Sequence, residues 1–296
     1  MTATEQRLDL QSQAARASGR LPPLLLAAER VATTVAQGVH GRRRVGQGET
    51  FWQFRRYQTG DSANGIDWRQ SAKSQHLFVR ETEWEAAQSA WLWRDASPSM
   101  NYRSNKTLPT KAERADLLLL ATSLLLMRAG ERFTLLGSAL RSASGRAAYD
   151  RLAETMIRET PAKDSLPPYQ PLPRYAQVIL FGDFLSPSDE IRERLSGFAA
   201  HGVTGTFLQI LDPAERSLPF RGRIRFEGFE NEGETLLGRV QSARGDYQTK
   251  LARHCDDLRE IARRAGWTYL QHDTNHSAEA ALLTLYTALA PRRWGN

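Results

Sequence analysis

"SAWLWRDASPSM" (residues 89–100) decides the reading of this chain. An apolar run of strand length ends at Asp95, and Ser97 and Ser99 follow at alternate positions. The run reads as a buried strand bounded by turn residues. Its exit then places one carboxylate and two hydroxyls at the strand's carboxyl end. Taken alone, the cluster reads equally as a metal site, a nucleophile or a helix cap.

Working outward, the pattern repeats as strand, helix, strand, helix. "KAERADLLLLATSLLLMRAG" (111–130) reads as a long, largely buried helix closed by Gly130, and "RFTLLGS" as the next strand. Residues 146–159 form an amphipathic pattern with Ala148, Leu152, Met156 and Ile157 on one side. "YAQVILFGDFL" (175–185) is almost continuously apolar, as a central parallel strand covered on both faces would be. "SDEIRERLSGFAAHG" then predicts a helix with a serine or aspartate cap that ends at Gly202. The strand "VTGTFLQIL", a strand-like patch at 221–237, a helix over 241–265, the strand "WTYLQH" and a helix from about Ser277 to Leu289 complete the series. Such alternation predicts an open, mostly parallel sheet with helices on both faces.

Upstream, residues 1–20 are polar, and "LPPLLLAAERVATTVAQGVH" (21–40) reads as a helix with proline in its first turn. Residues 41–86 hold short aromatic or alternating runs between Gly, Asp and Ser, which predicts a small β-rich module. The domain reading is therefore 1–40 as an N-terminal helical segment, 41–86 as the β-rich module and 87–296 as the α/β domain. Pro161, Pro167, Pro168, Pro171 and Pro173 mark an extended surface connection within the last of these.

A chain of 296 residues with 41% hydrophobic and 25% charged residues can bury a sizeable core. Its single cysteine, Cys255, rules out an internal disulfide and a cysteine-based zinc cluster. No apolar leader opens the sequence, and runs such as "LLLLATSLLLM" fall short of the ~20 residues that span a bilayer. The expectation is a cytoplasmic protein without a transmembrane segment. The net charge of +7 raises nucleic acid as a partner, but Arg42, Arg43 and Arg44 are its densest cluster. A solvated basic face is the better reading.

Two predicted strands deliver an acid to the carboxyl edge, where open α/β sheets bind ligands: Asp95 and Asp183. Carboxylates and hydroxyls form a hard-oxygen set suited to Mg²⁺. A nucleophilic serine fits less well, because Pro98 separates Ser97 from Ser99 and no Gly-x-Ser-x-Gly is present. Nothing ties His201 or His272 to either serine. His272 and His276 straddle a turn without a third ligand, and His254 beside Cys255 reads as structural. "GRRRVGQGE" lacks the ending of a phosphate-binding loop.

Asp95-Ala96-Ser97-Pro98-Ser99 resembles the metal-ion-dependent adhesion motif of von Willebrand factor type A domains, with Asp183 at the later strand-end aspartate. Residues 46–85 resemble the signature of the bacterial family called domain of unknown function fifty-eight. The matching residues are Gly46, Gly48, Glu49, Arg56, Tyr57, Gly60, Asp61, Ile66, Asp67, Trp68, Ala72, Val79, Arg80 and Glu81. Asn64, Gly65 and Lys73 depart from the family pattern. "GSALRSASGRAAYD" also offers no threonine for the adhesion site, and Ser144 is the nearest stand-in. The resemblance implies a von Willebrand factor A-like fold and a Mg²⁺ site (Mn²⁺ or Ca²⁺ as variants) at Asp95, Ser97, Ser99, Asp183 and Ser144. It also implies a non-enzymatic interaction module, a co-chaperone or adaptor for a MoxR-type AAA+ ATPase that recognises an acidic residue of its partner. The competing classes are a metal-dependent hydrolase using Asp95 and Asp183, and a basic nucleic-acid-binding protein.

Overall fold

The structure is a computed structural model and describes residues 24–36, 51–56, 68–73, 76–82, 89–158, 164–227 and 234–289. The Arg42–Arg44 cluster and the signature positions Gly46, Gly48, Glu49, Tyr57, Gly60, Asp61, Ile66 and Asp67 lie outside the described residues. Helix α1 covers 24–36 and buries Ala28, Val31, Ala32 and Val35, the i, i+3, i+4, i+7 stripe that a helix presents to a core.

The chain divides into two units, His40–Ala87 and the remainder. In the smaller unit, β1 (Phe51–Arg56) pairs antiparallel with β2 (Phe78–Thr82), with an irregular register between Phe51 and Gln53. A short helix, α2 (Trp68–Ser71), stands within a stretch that the sequence reads as short strands and turns. The Ser71 hydroxyl accepts the Phe78 amide at 2.9 Å and so pins the start of β2.

The larger unit is an α/β layered body. Its chain order runs through β3 (Ser89–Arg94), α3 (Lys111–Arg128), β4 (Arg132–Leu135), α4 (Arg146–Arg158), β5 (Gln177–Gly182), α5 (Ser188–Ala199) and β6 (Thr204–Leu211). It continues through α6 (Pro213–Ser217), the antiparallel pair β7 (Ile224–Glu227) and β8 (Glu234–Leu237), α7 (Val240–Ala265), β9 (Thr268–Asp273) and α8 (Ala278–Leu289). Five strands form one sheet in the order β4-β3-β5-β6-β9, and each neighbouring pair is parallel.

Strand alternation explains the layers. Ala90, Leu92, Ile179, Phe181, Leu208 and Ile210 face one core, which α1, α3, α4 and α8 complete. Trp91, Trp93, Val178, Leu180 and Phe207 face the other, which α5 and α7 cover. Both faces are thus covered, the condition for near-continuous apolar strands. Among the described residues no helix is long and apolar enough to cross a membrane.

Two features correct the sequence reading. α5 has Pro187 at its N-cap with no side-chain hydrogen bond, so Ser188 and Asp189 lie inside the helix and do not cap it. α6 was not foreseen, although Asp212, Pro213 and Glu215 spell out a capping box with proline at its first position.

One glycine and one arginine lock the body. A Cβ on Gly205 would lie 2.5 Å from the Trp267 ring, whose indole donates to the Val203 carbonyl at 3.1 Å. On the opposite face, Arg114 of α3 donates to the carbonyls of His276 (2.7 Å) and Thr274 (3.0 Å). Its Nη1 also lies 2.9 Å from His272 Nε2. Because Arg114 has only donors, that nitrogen must accept, which fixes His272 as the neutral tautomer. Burial, then Arg114 and His276, push the His272 pKa from 6.5 down to about 3.

Two outcomes follow from these contacts. Gly205→Ala forces the indole aside and lowers the unfolding free energy by about 1–3 kcal/mol in urea titration. Unfolded His272 binds a proton below pH 6.5 while the folded form resists until about pH 3, so stability present above 6.5 is lost as pH falls. The full effect is on the order of 5 kcal/mol. His272→Gln should therefore flatten the acid limb of stability against pH, whereas an unchanged limb would show that His272 does not govern it.

Candidate functional site at the carboxyl edge of the sheet

The sheet order creates the crevice. From β3 the chain moves to β4 on one side, then crosses to β5 on the other, so β3 and β5 diverge at a topological switch point. Arg94 is in register with Phe181, which sets Asp95 beside Gly182 and leaves Asp183 next along. The Asp95 amide donates to the Phe181 carbonyl at 2.8 Å, extending the ladder by one bond. A Cβ on Gly182 would come within 3.1 Å of the Asp95 Cβ, so glycine there lets the two strand ends close up.

Past the strand, Asp95 turns the chain by accepting the Ser97 amide at 2.8 Å. A single 3-10 turn over Pro98–Asn101 follows, with proline at its start. Asp95 and Ser97 are buried, at 0% and 1% exposure. The two serine hydroxyls lie 3.1 Å apart, and Ser99 donates to Asp183 Oδ2 at 2.9 Å. A hydroxyl has one proton, so Ser97 is the donor to Ser99.

Asp183 is held from several directions. Its Oδ1 accepts the Leu185 amide at 3.2 Å, and Gln209 of β6 donates to its carbonyl at 2.9 Å. Phe184 takes φ +48°, a strained left-handed conformation for a bulky residue. Its ring packs edge-on against Phe207 at 5.1 Å, and its carbonyl accepts from His254 Nε2 at 2.6 Å. His254 Nδ1 lies 3.3 Å from Ser188 Oγ, which also donates to Asp257, so this histidine braces the loop behind Asp183.

The centre of the cluster is Lys111, the first residue of α3. Its ammonium donates to Asp183 Oδ2 at 2.9 Å and to Glu215 Oε1 at 2.5 Å, and it is 1% exposed. A helix N-terminus repels a cation, and burial removes its hydration, so the two carboxylates must compensate. Burial alone would lower the Lys111 pKa, but Asp183 and Glu215 outweigh it and hold the ammonium above the ordinary lysine value. Thr110 and Glu113 close a capping box that fixes the helix start.

A third strand end joins through α6. Asp212, fully buried after β6, accepts the Ala214 amide at 2.8 Å and the Ser104 amide at 3.0 Å. Its own amide donates to Glu215 at 2.7 Å, which aims the other Glu215 oxygen at Lys111. Tyr102 and Tyr247 border this group. Burial raises both phenols, Asp212 and then Glu215 adding to it at Tyr102, and Glu215 at Tyr247, which reaches about 12. The result is one hydrogen-bonded chain: Ser97 to Ser99 to Asp183, with Lys111 bridging Asp183 and Glu215.

Of the five residues expected to hold a metal, Asp95, Ser97, Ser99 and Asp183 come together and Ser144 does not. The loop after β4 doubles back, so that Ala143 bridges Phe133 antiparallel, and Phe133 is level with Ala90 on β3. Ala143 therefore lies at the amino end of the sheet, about 16 Å along the strand from Asp95, and exposed Ser144 lies one residue beyond it. The oxygen set alone suits a hard divalent ion. As arranged, however, Asp183 Oδ2 already receives the Lys111 ammonium and the Ser99 hydroxyl. Among the described residues no group of three His, Cys, Asp or Glu is placed to hold a metal. With the Lys111 ammonium seated on Asp183, the residues present do not fit the ion.

Sequence reasoning missed Lys111, Asp212 and Glu215. Asp212-Pro213-Ala214-Glu215 carried a readable capping signal, whereas a lysine at a helix start ordinarily reads as solvated. Lys111→Met leaves two acids without their cation and should lower the unfolding free energy by about 3–5 kcal/mol. Ser144→Ala should change it by no more than about 0.5 kcal/mol. Paired denaturant titrations check both, and equal losses would refute the assignment.

Residues 53–257 match the family described as Protein of unknown function DUF58. Relatives include Uncharacterized protein Rv1480 of Mycobacterium tuberculosis and Uncharacterized protein Mb1516 of Mycobacterium bovis. Each is 24% identical over 280 residues, covering 88% of this chain and 85% of its own length. Among solved structures, an aerotolerance-related membrane protein of Bacteroides fragilis aligns at TM-score 0.40 and 15% identity, over 68% of this chain and 98% of its own. The hypothetical protein BatB of Bacteroides thetaiotaomicron aligns at TM-score 0.36 and 16% identity, over 68% and 97%. The family match takes in β2, the strand-end acids and most of α7, and on it the chain belongs to the Protein of unknown function DUF58 family.

Proposed function

We propose that this protein is a non-enzymatic recognition module, an adaptor or co-chaperone for a MoxR-type AAA+ ATPase, working through the carboxyl edge of its sheet. The observation that carries the reading is the hydrogen-bonded chain from Ser97 to Glu215. It is assembled at the switch point from three strand ends, and its hydroxyls are committed to each other and to Asp183. A nucleophilic serine needs a base to take its proton, and here the acceptor of Ser99 is a carboxylate already neutralised by lysine. The arrangement suits binding a partner surface without breaking bonds. The finer fold likeness, a von Willebrand factor A-like domain, is part of the same proposal. The strand order and the paired Asp-x-Ser-x-Ser and Asp183 support it. No step in this reading passes through magnesium.

Within the cluster, Ser99 is the half-buried member at its mouth and Asp95 and Ser97 lie behind it. Ser99→Ala should therefore weaken capture of a MoxR-type ATPase by about tenfold, the equivalent of one lost hydrogen bond to a charged group. Affinity measurements between the purified full chain and the ATPase encoded in the same genome check this. Undetectable binding by the wild type, or equal binding by both proteins, would remove the proposal.

A further inference from the structure

We infer that Lys111 is the resident cation of this edge: its ammonium stands where the oxygen set of Asp95, Ser97, Ser99 and Asp183 would otherwise draw a divalent metal ion, and the cluster keeps its geometry without one. The inference goes beyond the recognition reading and stands whether or not an ATPase partner binds.

Three geometric facts carry it. The first is shared occupancy of one oxygen. Lys111 Nζ lies 2.9 Å from Asp183 Oδ2. A magnesium ion on that oxygen would sit about 2.1 Å from it, which puts the two cations no more than about 5 Å apart. Both would be in a buried setting where charges are weakly screened. Binding a metal therefore requires expelling the ammonium from a niche where it is 1% exposed.

The second fact is the coordination itself. A small divalent ion demands several oxygens in near-octahedral array, whereas an ammonium is satisfied by a few acceptors. Ser144, the oxygen that would have extended the set, is at the other end of the sheet. The third fact is Glu215. Its carboxylate is delivered to the ammonium by its own capping box, with Asp212 accepting the Ala214 amide and Glu215 accepting the Asp212 amide. A metal held by Asp95 and Asp183 would leave that arrangement without a purpose, and a lysine explains it. Asp183 and Glu215 come from different strand ends, so the tethered charge also joins β5 to β6 across the edge.

The test uses the full chain and the metals alone. In calorimetric titration the wild type should show no saturable heat with Mn²⁺ or Mg²⁺, and its melting temperature should be the same in EDTA and in excess Mn²⁺. Lys111→Ala should melt lower in EDTA and gain stability with Mn²⁺, binding it at least tenfold more tightly than the wild type does. Adding Asp183→Asn to that variant should abolish the gain. Saturable Mn²⁺ binding by the wild type that Asp183→Asn removes overturns the inference, and this arm does not depend on any lysine variant folding. A folded Lys111→Ala protein that ignores Mn²⁺ overturns it as well.

Discussion

A lysine ammonium stripped of water at the positive end of a helix cannot persist without counter-charge, and this constraint organises the whole carboxyl edge. Asp183 must arrive from β5 and Glu215 from the helix after β6, so both strands must end where they do. The start of α3 is fixed in turn, because Lys111 is its first residue and Thr110 its cap. The serines then fall into line, since Ser99 can reach Asp183 only from the tight turn that Asp95 and Pro98 impose.

The fold makes this possible by bringing three acid-bearing strand ends to one side of a sheet whose faces are both covered. Covering both faces leaves the carboxyl edge as a place where polar groups can gather without interrupting a core. Bracing is supplied from below the site. Phe184 holds a conformation disfavoured for its size, and its packing on Phe207 and the His254 bond offset that strain. Backbone strain immediately beside a charged side chain is a recurrent way of aiming it.

Much of the body was legible because strand burial writes itself as period-two apolar residues. The runs around Trp91 and Ile179 announced their strands, and the acids ending them announced the edge. Three things escaped. Ser144 was assigned by its place in the sequence, but the loop after β4 returns toward the strand's start, a reversal that no local pattern declares. Lys111 was invisible because its burial depends on two carboxylates that are remote in sequence. α6 was too short for periodicity to show, although its capping residues were in plain view. The cap at α5 was misread for the opposite reason: Ser188 and Asp189 are good capping types, yet Pro187 takes the position ahead of them.

The return of the chain at Ala143 has a consequence for the border of the sheet. By bridging Phe133, the chain lends its own backbone to the outer side of β4, one of the two strands that border the sheet. A border strand with vacant amides and carbonyls invites a foreign peptide to join as an extra strand, or a second copy to stack against it. Here that invitation is partly withdrawn from within. Strand addition along β4 is thereby discouraged, and β9 is the border of the sheet that this return does not reach.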